Sequence, residues 1–204
     1  ARKLAFYRPL PHQIPNSNFA TRLSPTLHVH EVLQMGKRVF EKANFYLRRG
    51  NRKRLKRLFR KRAQLLNRDN CDLVYNAIWQ APSMLPWLLK NGVHPDSRHY
   101  SGDNTPLMQA AADDDVKTMK ILLEHGADPN SRNSENELPL GFACSYQSWD
   151  AARLLVHSGA DVNGVEDENK THLDWLVLSK DEEGIHLLRG LGGKLAAELE
   201  PKDM

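Results

Sequence analysis

Eight cations fall within eleven residues and form the strongest chemical signal in the chain: Arg52, Lys53, Arg54, Lys56, Arg57, Arg60, Lys61 and Arg62. No acid interrupts them. Like charges three and four positions apart destabilise an isolated helix, so an anion must offset the repulsion. RNA phosphates are the preferred anion, because Lys and Arg displace condensed counterions and Arg binds phosphate through two parallel bonds. A nuclear-import carrier, an anionic membrane surface and an acidic protein face, including this chain's own, are the alternatives.

The other reactive side chains point away from catalysis. Cys71 and Cys144 are the only cysteines, with no clustered spacing for a disulfide framework or a structural zinc. Cys144 falls where a repeated block carries the small residue Ala111, so it reads as a packing thiol. His28-Val29-His30 could ligate a metal from a strand, but two ligands without a third make no site. His125 and His157 precede helix-ending glycines, where a cation or a local hydrogen bond is favoured. A phosphate-cradling glycine loop, a nucleophile elbow and a paired metal motif are all missing from the sequence. It therefore predicts no catalytic residue, no metal, no cofactor and no small-molecule substrate.

The elements that hold these residues follow from charge and periodicity. Residues 1–70 contain 18 Lys and Arg against three acids, whereas residues 71–204 contain 11 against 22. Such asymmetry marks a two-part chain with one part directed at anions. At 40% hydrophobic over 204 residues the chain can bury a core. It holds no apolar run of the ~18 residues a membrane-spanning helix requires.

Three blocks superimpose, Cys71–Ala77, Thr105–Ala111 and Leu138–Cys144, and a fourth, Thr171–Val177, follows in phase. A glycine follows each block at Gly92, Gly126, Gly159 and Gly192. Thr105 suits a helix N-cap and Pro106 the first helical position. Leu107, Ala110 and Ala111 allow close helix packing. Val116, Met119, Ile121, Leu122 and Leu123 supply the apolar face of a second helix. Gly126 ends it in a left-handed conformation. Thr105–Ala111 and Leu122–Asn130, with Leu154–Asn163 repeating the same ending, resemble the ankyrin repeat. Cys71-Asp72 and Gly192-Gly193-Lys194 depart from its pattern in the outer units, as terminal units do.

The resemblance implies an all-α ankyrin-repeat solenoid of about four units over residues 71–204, with tips and first helices lining a groove that binds protein. Arg98, His99, Tyr100, Glu135, Glu137 and Asp167 on the tips are the expected protein contacts. Leu107, Leu122, Leu140, Leu155 and Leu173 should be buried, and Trp79, Trp87, Trp149 and Trp175 are assigned to the core. Ahead of the repeats, residues 1–30 contain four prolines and no acid, and read as an extended basic arm. Residues 31–70 read as a basic helical hairpin broken at Gly50-Asn51, its apolar stripe capping the first unit.

The arm's Leu4, Phe6, Tyr7, Leu10, Ile14 and Phe19 suit contact with a neighbouring subunit or an RNA groove. Basic tails beside a globular domain are similar to those of organellar ribosomal accessory proteins. The expected function is thus a non-enzymatic subunit of a ribonucleoprotein assembly, with RNA on residues 1–70 and neighbouring proteins on the ankyrin face. A protein-only adaptor, such as a peripheral subunit of a membrane complex, or a nuclear regulator is the alternative. A start at Ala1 and an acid-free first thirty residues suit a mature mitochondrial protein, with a nuclear or cytoplasmic location as the alternative.

Overall fold

The computed structural model describes residues 29–66, 73–98, 103–166 and 169–199. The arm as far as residue 28, Cys71, His99, Tyr100, Asp167 and the Arg62 side chain lie outside the described residues. The described chain is helical, with no strand and one isolated bridge, Val165 to Thr171.

Four helix-turn-helix units follow one another. The first consists of α3 (Leu73–Gln80) and α4 (Leu85–Lys90), the second of α5 (Pro106–Ala112) and α6 (Val116–Glu124). The third is α7 (Pro139–Ser145) with α8 (Trp149–His157), and the fourth α9 (His172–Ser179) with α10 (Glu182–Gly190). Leu107, Leu122, Leu140, Leu155 and Leu173 are all buried. Thr105 and Thr171 cap α5 and α9 by accepting from Met108 N and Asp174 N, each at 3.3 Å.

The backbone repeats as faithfully as the side chains. Gly92, Gly126, Gly159 and Gly192 have φ between +86° and +94°. Left-handed non-glycines recur too: Asp103, Asn136 and Asn169 at the tips, and Asp114, Gln147 and Lys180 between paired helices. Each trio is spaced by one repeat. The torsions that redirect the chain are therefore periodic even where the residue type changes.

One polar device joins successive units. Asp96 accepts from Asp128 N at 3.1 Å, Asn130 from Asp161 N at 2.8 Å, and Asn163 from Lys194 N at 2.7 Å. Asn130 also donates to the Gly159 carbonyl at 2.9 Å. Burial raises the Asp96 carboxyl above its usual range, against the pull of the Asp128 amide.

Unit one departs from the pattern at its turn. Pro82–Met84 forms a 3-10 turn and Pro86 follows at the start of α4, so α4 has only six residues. Ahead of it run α1 (Val29–Arg48) and α2 (Arg52–Leu66), joined at Gly50-Asn51. Gly50 is left-handed, and Asn51 Oδ1 accepts from Arg54 N at 3.1 Å as an N-cap. Val29 and His30 begin α1, while His28 lies outside the described residues.

The chain divides into two compact units, Ala1–Arg38 and Val39–Met204, with the division inside α1. Of the first, the described part is the helical stretch 29–38. Within the second, Val39, Ala43 and Leu47 of α1 and Leu55 and Phe59 of α2 are buried. Asn44 accepts from Asn76 Nδ2 at 2.9 Å, and Phe59 meets Trp87 edge-on at 5.2 Å. The hairpin thus covers the open side of unit one, which no preceding repeat protects.

Candidate interaction surfaces

The inner face of the solenoid is built by positions four residues apart on each first helix, which share one helix side. Superimposing the units aligns Tyr75, Gln109, Phe142 and Trp175, and likewise Trp79, Asp113, Tyr146 and Ser179. Trp79 is 60% exposed, Tyr146 66% and Trp175 40%. This corrects the assignment of Trp79 and Trp175 to the core; Trp87 and Trp149 are half-buried. Leu178 is exposed beside them. The signal that could have found this face was the register itself, because Asp113 and Ser179 occupy the positions of Trp79 and Tyr146.

A groove of about 960 Å³ opens between the ends of α7 and α9, lined by Tyr146, Gln147, Trp175, Ser179, Asp181 and Glu182 among others. Gln147 donates to Asp181 Oδ2 at 2.6 Å and ties the two units across its rim. Lys170 Nζ lies 4.7 Å from the Trp175 ring centroid. Cys144 reaches this groove yet is buried. Burial first, then the Glu166 and Asp181 carboxylates, push its thiol up to about 12, so it holds no nucleophilic thiolate near neutrality.

The tips divide into holders and presenters. Arg98 donates to the Arg132 carbonyl at 2.7 Å and to Asp103, and so clamps the first tip onto the second. Buried Asn133 organises the second tip: its Oδ1 accepts from Glu135 N at 3.0 Å and Glu137 N at 2.9 Å. Its Nδ2 donates to Asn104 Oδ1 and to Glu137 Oε2, both at 2.7 Å. Glu137 is thereby engaged in the fold, while Glu135 is exposed.

On α2, Arg52, Lys53, Arg54, Lys56, Arg57, Arg60 and Lys61 are exposed, and among the described residues no carboxylate pairs with any of them. Arg52 is nonetheless occupied, donating to Met84 Sδ at 3.0 Å and to Ser83. It fastens the hairpin to the turn of unit one. The remaining six cations are exposed, with Arg54 and Lys56 lying 6.0 and 5.8 Å from the Tyr46 and Trp87 ring centroids. The described residues contain no group of three or more potential metal ligands and no helix long and apolar enough to cross a membrane.

A family model of ankyrin repeats, in three copies, matches residues 73–166 and 107–194. The chain belongs to the ankyrin-repeat family. The match begins at residue 73, leaving the basic hairpin outside it. Alpha-latrocrustotoxin-Lt1a of Latrodectus tredecimguttatus is 39% identical over 93 residues, covering 45% of this chain and 6% of the toxin. E3 ubiquitin-protein ligase KEG of Arabidopsis thaliana is 29% identical over 105 residues, 45% of this chain and 6% of the ligase. Putative ankyrin repeat protein FPV031 of fowlpox virus is 35% identical over 127 residues, 59% of this chain and 37% of the viral protein. The chain thus spans between 6% and 37% of the length of these relatives. What they share with it is the ankyrin-repeat module, which typically serves protein–protein interaction.

Proposed function

We propose that this ankyrin-repeat protein is an adaptor that holds a partner polypeptide in the groove of units three and four. The observation that carries the reading is the exposure of Tyr146, at the C-cap of α7, and of Trp175 on α9, beside helices whose opposite sides are packed. Aromatic side chains are enriched in the energetic centres of protein interfaces, where large rings give contact area at low entropy cost. The Gln147–Asp181 bond holds the groove's rim in place before a partner arrives, which lowers the ordering cost of binding. A photo-crosslinking amino acid at position 146 of the full chain tests it. Attachment to a polypeptide supports the adaptor; attachment to nucleic acid, or to nothing in the native assembly, overturns it.

A second reading draws on α2, whose six exposed cations have no carboxylate partner among the described residues. On that reading the adaptor is a subunit of a ribonucleoprotein assembly, a mitochondrial ribosome being the instance that the basic N-terminal composition suggests. RNA recovered with the purified assembly and crosslinked within residues 52–62 would support it. An assembly indifferent to ribonuclease would remove it.

A further inference from the structure

Between α2 and α4 lies a notch of about 420 Å³ lined by Lys56, Phe59, Arg60, Trp87 and Asn91. Its floor is aromatic. Phe59 meets Trp87 edge-on, with 5.2 Å between centroids and 78° between planes, so Phe59 does not stack over the indole. Trp87 is only half-buried. Lys56 Nζ stands 5.8 Å from the Trp87 centroid, at the outer limit of a cation–π contact, and is loosely held there. Arg60 is exposed and unpaired among the described residues. Lys56 and Arg60 are one helical turn apart on the same side of α2, roughly 6 Å along the axis.

We propose that this notch receives an unstacked base of single-stranded RNA, with Lys56 and Arg60 on the flanking phosphates. The inference rests on the ribonucleoprotein reading and gives it a defined contact. Two rows of cations alone would suit any polyanion, an acidic peptide included; the notch discriminates. A carboxylate has no use for an aromatic floor, whereas every base has a π-face that stacks on one. Asn91 points the same way. Its Nδ2 donates to the Trp87 carbonyl at 2.7 Å, leaving Oδ1 as an acceptor that repels a carboxylate and suits the N–H edge of a base. Lys53, Arg57 and Lys61 form a second row beyond the notch, where the strand's neighbouring phosphates would continue.

The test uses the full chain and a fluorescein-labelled oligouridylate of about twelve nucleotides, within the range one single-strand platform spans. The same-length RNA duplex and a polyglutamate peptide are the comparison probes. The single strand should bind at least about tenfold more tightly than either. Lys56→Gln with Arg60→Gln, both on the surface, should flatten the salt dependence by about 1.4 in log–log slope, two single-strand contacts' worth. Trp87→Leu keeps an apolar, though smaller, side chain and removes the stacking face, and should weaken the single strand about tenfold while leaving polyglutamate unchanged. If Trp87→Leu leaves the single strand unaffected while the surface pair still matters, the notch is wrong and the RNA reading of α2 survives. If polyglutamate binds as tightly as RNA, α2 is a docking face for acidic protein and both fall. No binding of any probe at low salt also removes both. Should Trp87→Leu fail to fold, the surface pair and the duplex comparison still decide.

Discussion

His172 stands where units two and three carry Pro106 and Pro139, and it is buried at the start of α9. Its Nε2 has no hydrogen-bond partner among the described residues, and Glu166 Oε2 lies 3.7 Å from Nδ1. Burial, with Arg132 adding to it against the pull of Asp161, lowers its pKa to about 4. The folded ring therefore stays neutral where the unfolded one, near 6.5, takes a proton. Stability from this site is present above pH 6.5 and falls as the pH drops towards 4, by up to about 1.4 kcal/mol per unit. Urea unfolding of the wild type and His172→Phe over that range should give a sloping difference that levels off above pH 6.5.

The aliphatic core makes a simpler demand. Leu122→Ala should cost about 2–5 kcal/mol in the same experiment, because a fully buried leucine leaves a cavity. These leucines were legible because each unit repeats them at one position. Trp79 and Trp175 were not, because an apolar side chain was weighed by its type. Asp113 and Ser179, in register with Trp79, and Gln109, in register with Trp175, announced a surface.

At the scale of the element, α7 shows how a unit without its own cap is completed. Unit three has Leu138 where units two and four have threonine, and Gly141 where unit four has Asp174. Asp174 accepts from Thr171 N at 2.9 Å inside its own unit. In unit three Glu166, from the following loop, accepts from Leu138 N at 2.6 Å instead. A Cβ on Gly141 would collide with Glu166 Oε1, so the glycine makes room for the visiting carboxylate. Glu166→Ala should cost about 1 kcal/mol, the usual worth of a cap. Adding Gly141→Asp should recover most of that in a denaturant titration of the double variant. The helix positions themselves were readable from period and punctuation. The cap was not, since its donor and acceptor lie 28 residues apart and no local motif joins them.

For the whole molecule, charge separates the chain into a basic N-terminal third and an acidic repeat array. The covering of unit one comes from α1 and α2 within Val39–Met204, through Phe59 on Trp87, Arg52 on Met84 and Asn44 with Asn76. Removing residues 1–28 should leave the melting temperature unchanged, within about 2 °C, because none of these contacts is lost. A larger fall in calorimetry would show that the first residues contribute to the fold. Because the arm's apolar residues read as a binding element, the truncated chain should still enter its assembly less well. The four-unit array was plain in the sequence because the repeat period is its own evidence. What α2 faces was not, because a row of cations specifies the sign of a partner and nothing of its shape.

The borrowed cap of α7 also sets where this protein can be cut and spliced. A repeat array looks modular, and a natural seam for grafting would fall just before the block that opens at Thr171. A chain shortened there keeps Glu166; one ended at the glycine turn of Gly159 does not, and leaves the start of α7 with an unanswered amide. In an array recombined from such pieces, unit three would need either residues through Glu166 or an acid installed at position 141. Units three and four should accordingly exchange their backbone amides with solvent as one cooperative block, slower together than either would be alone.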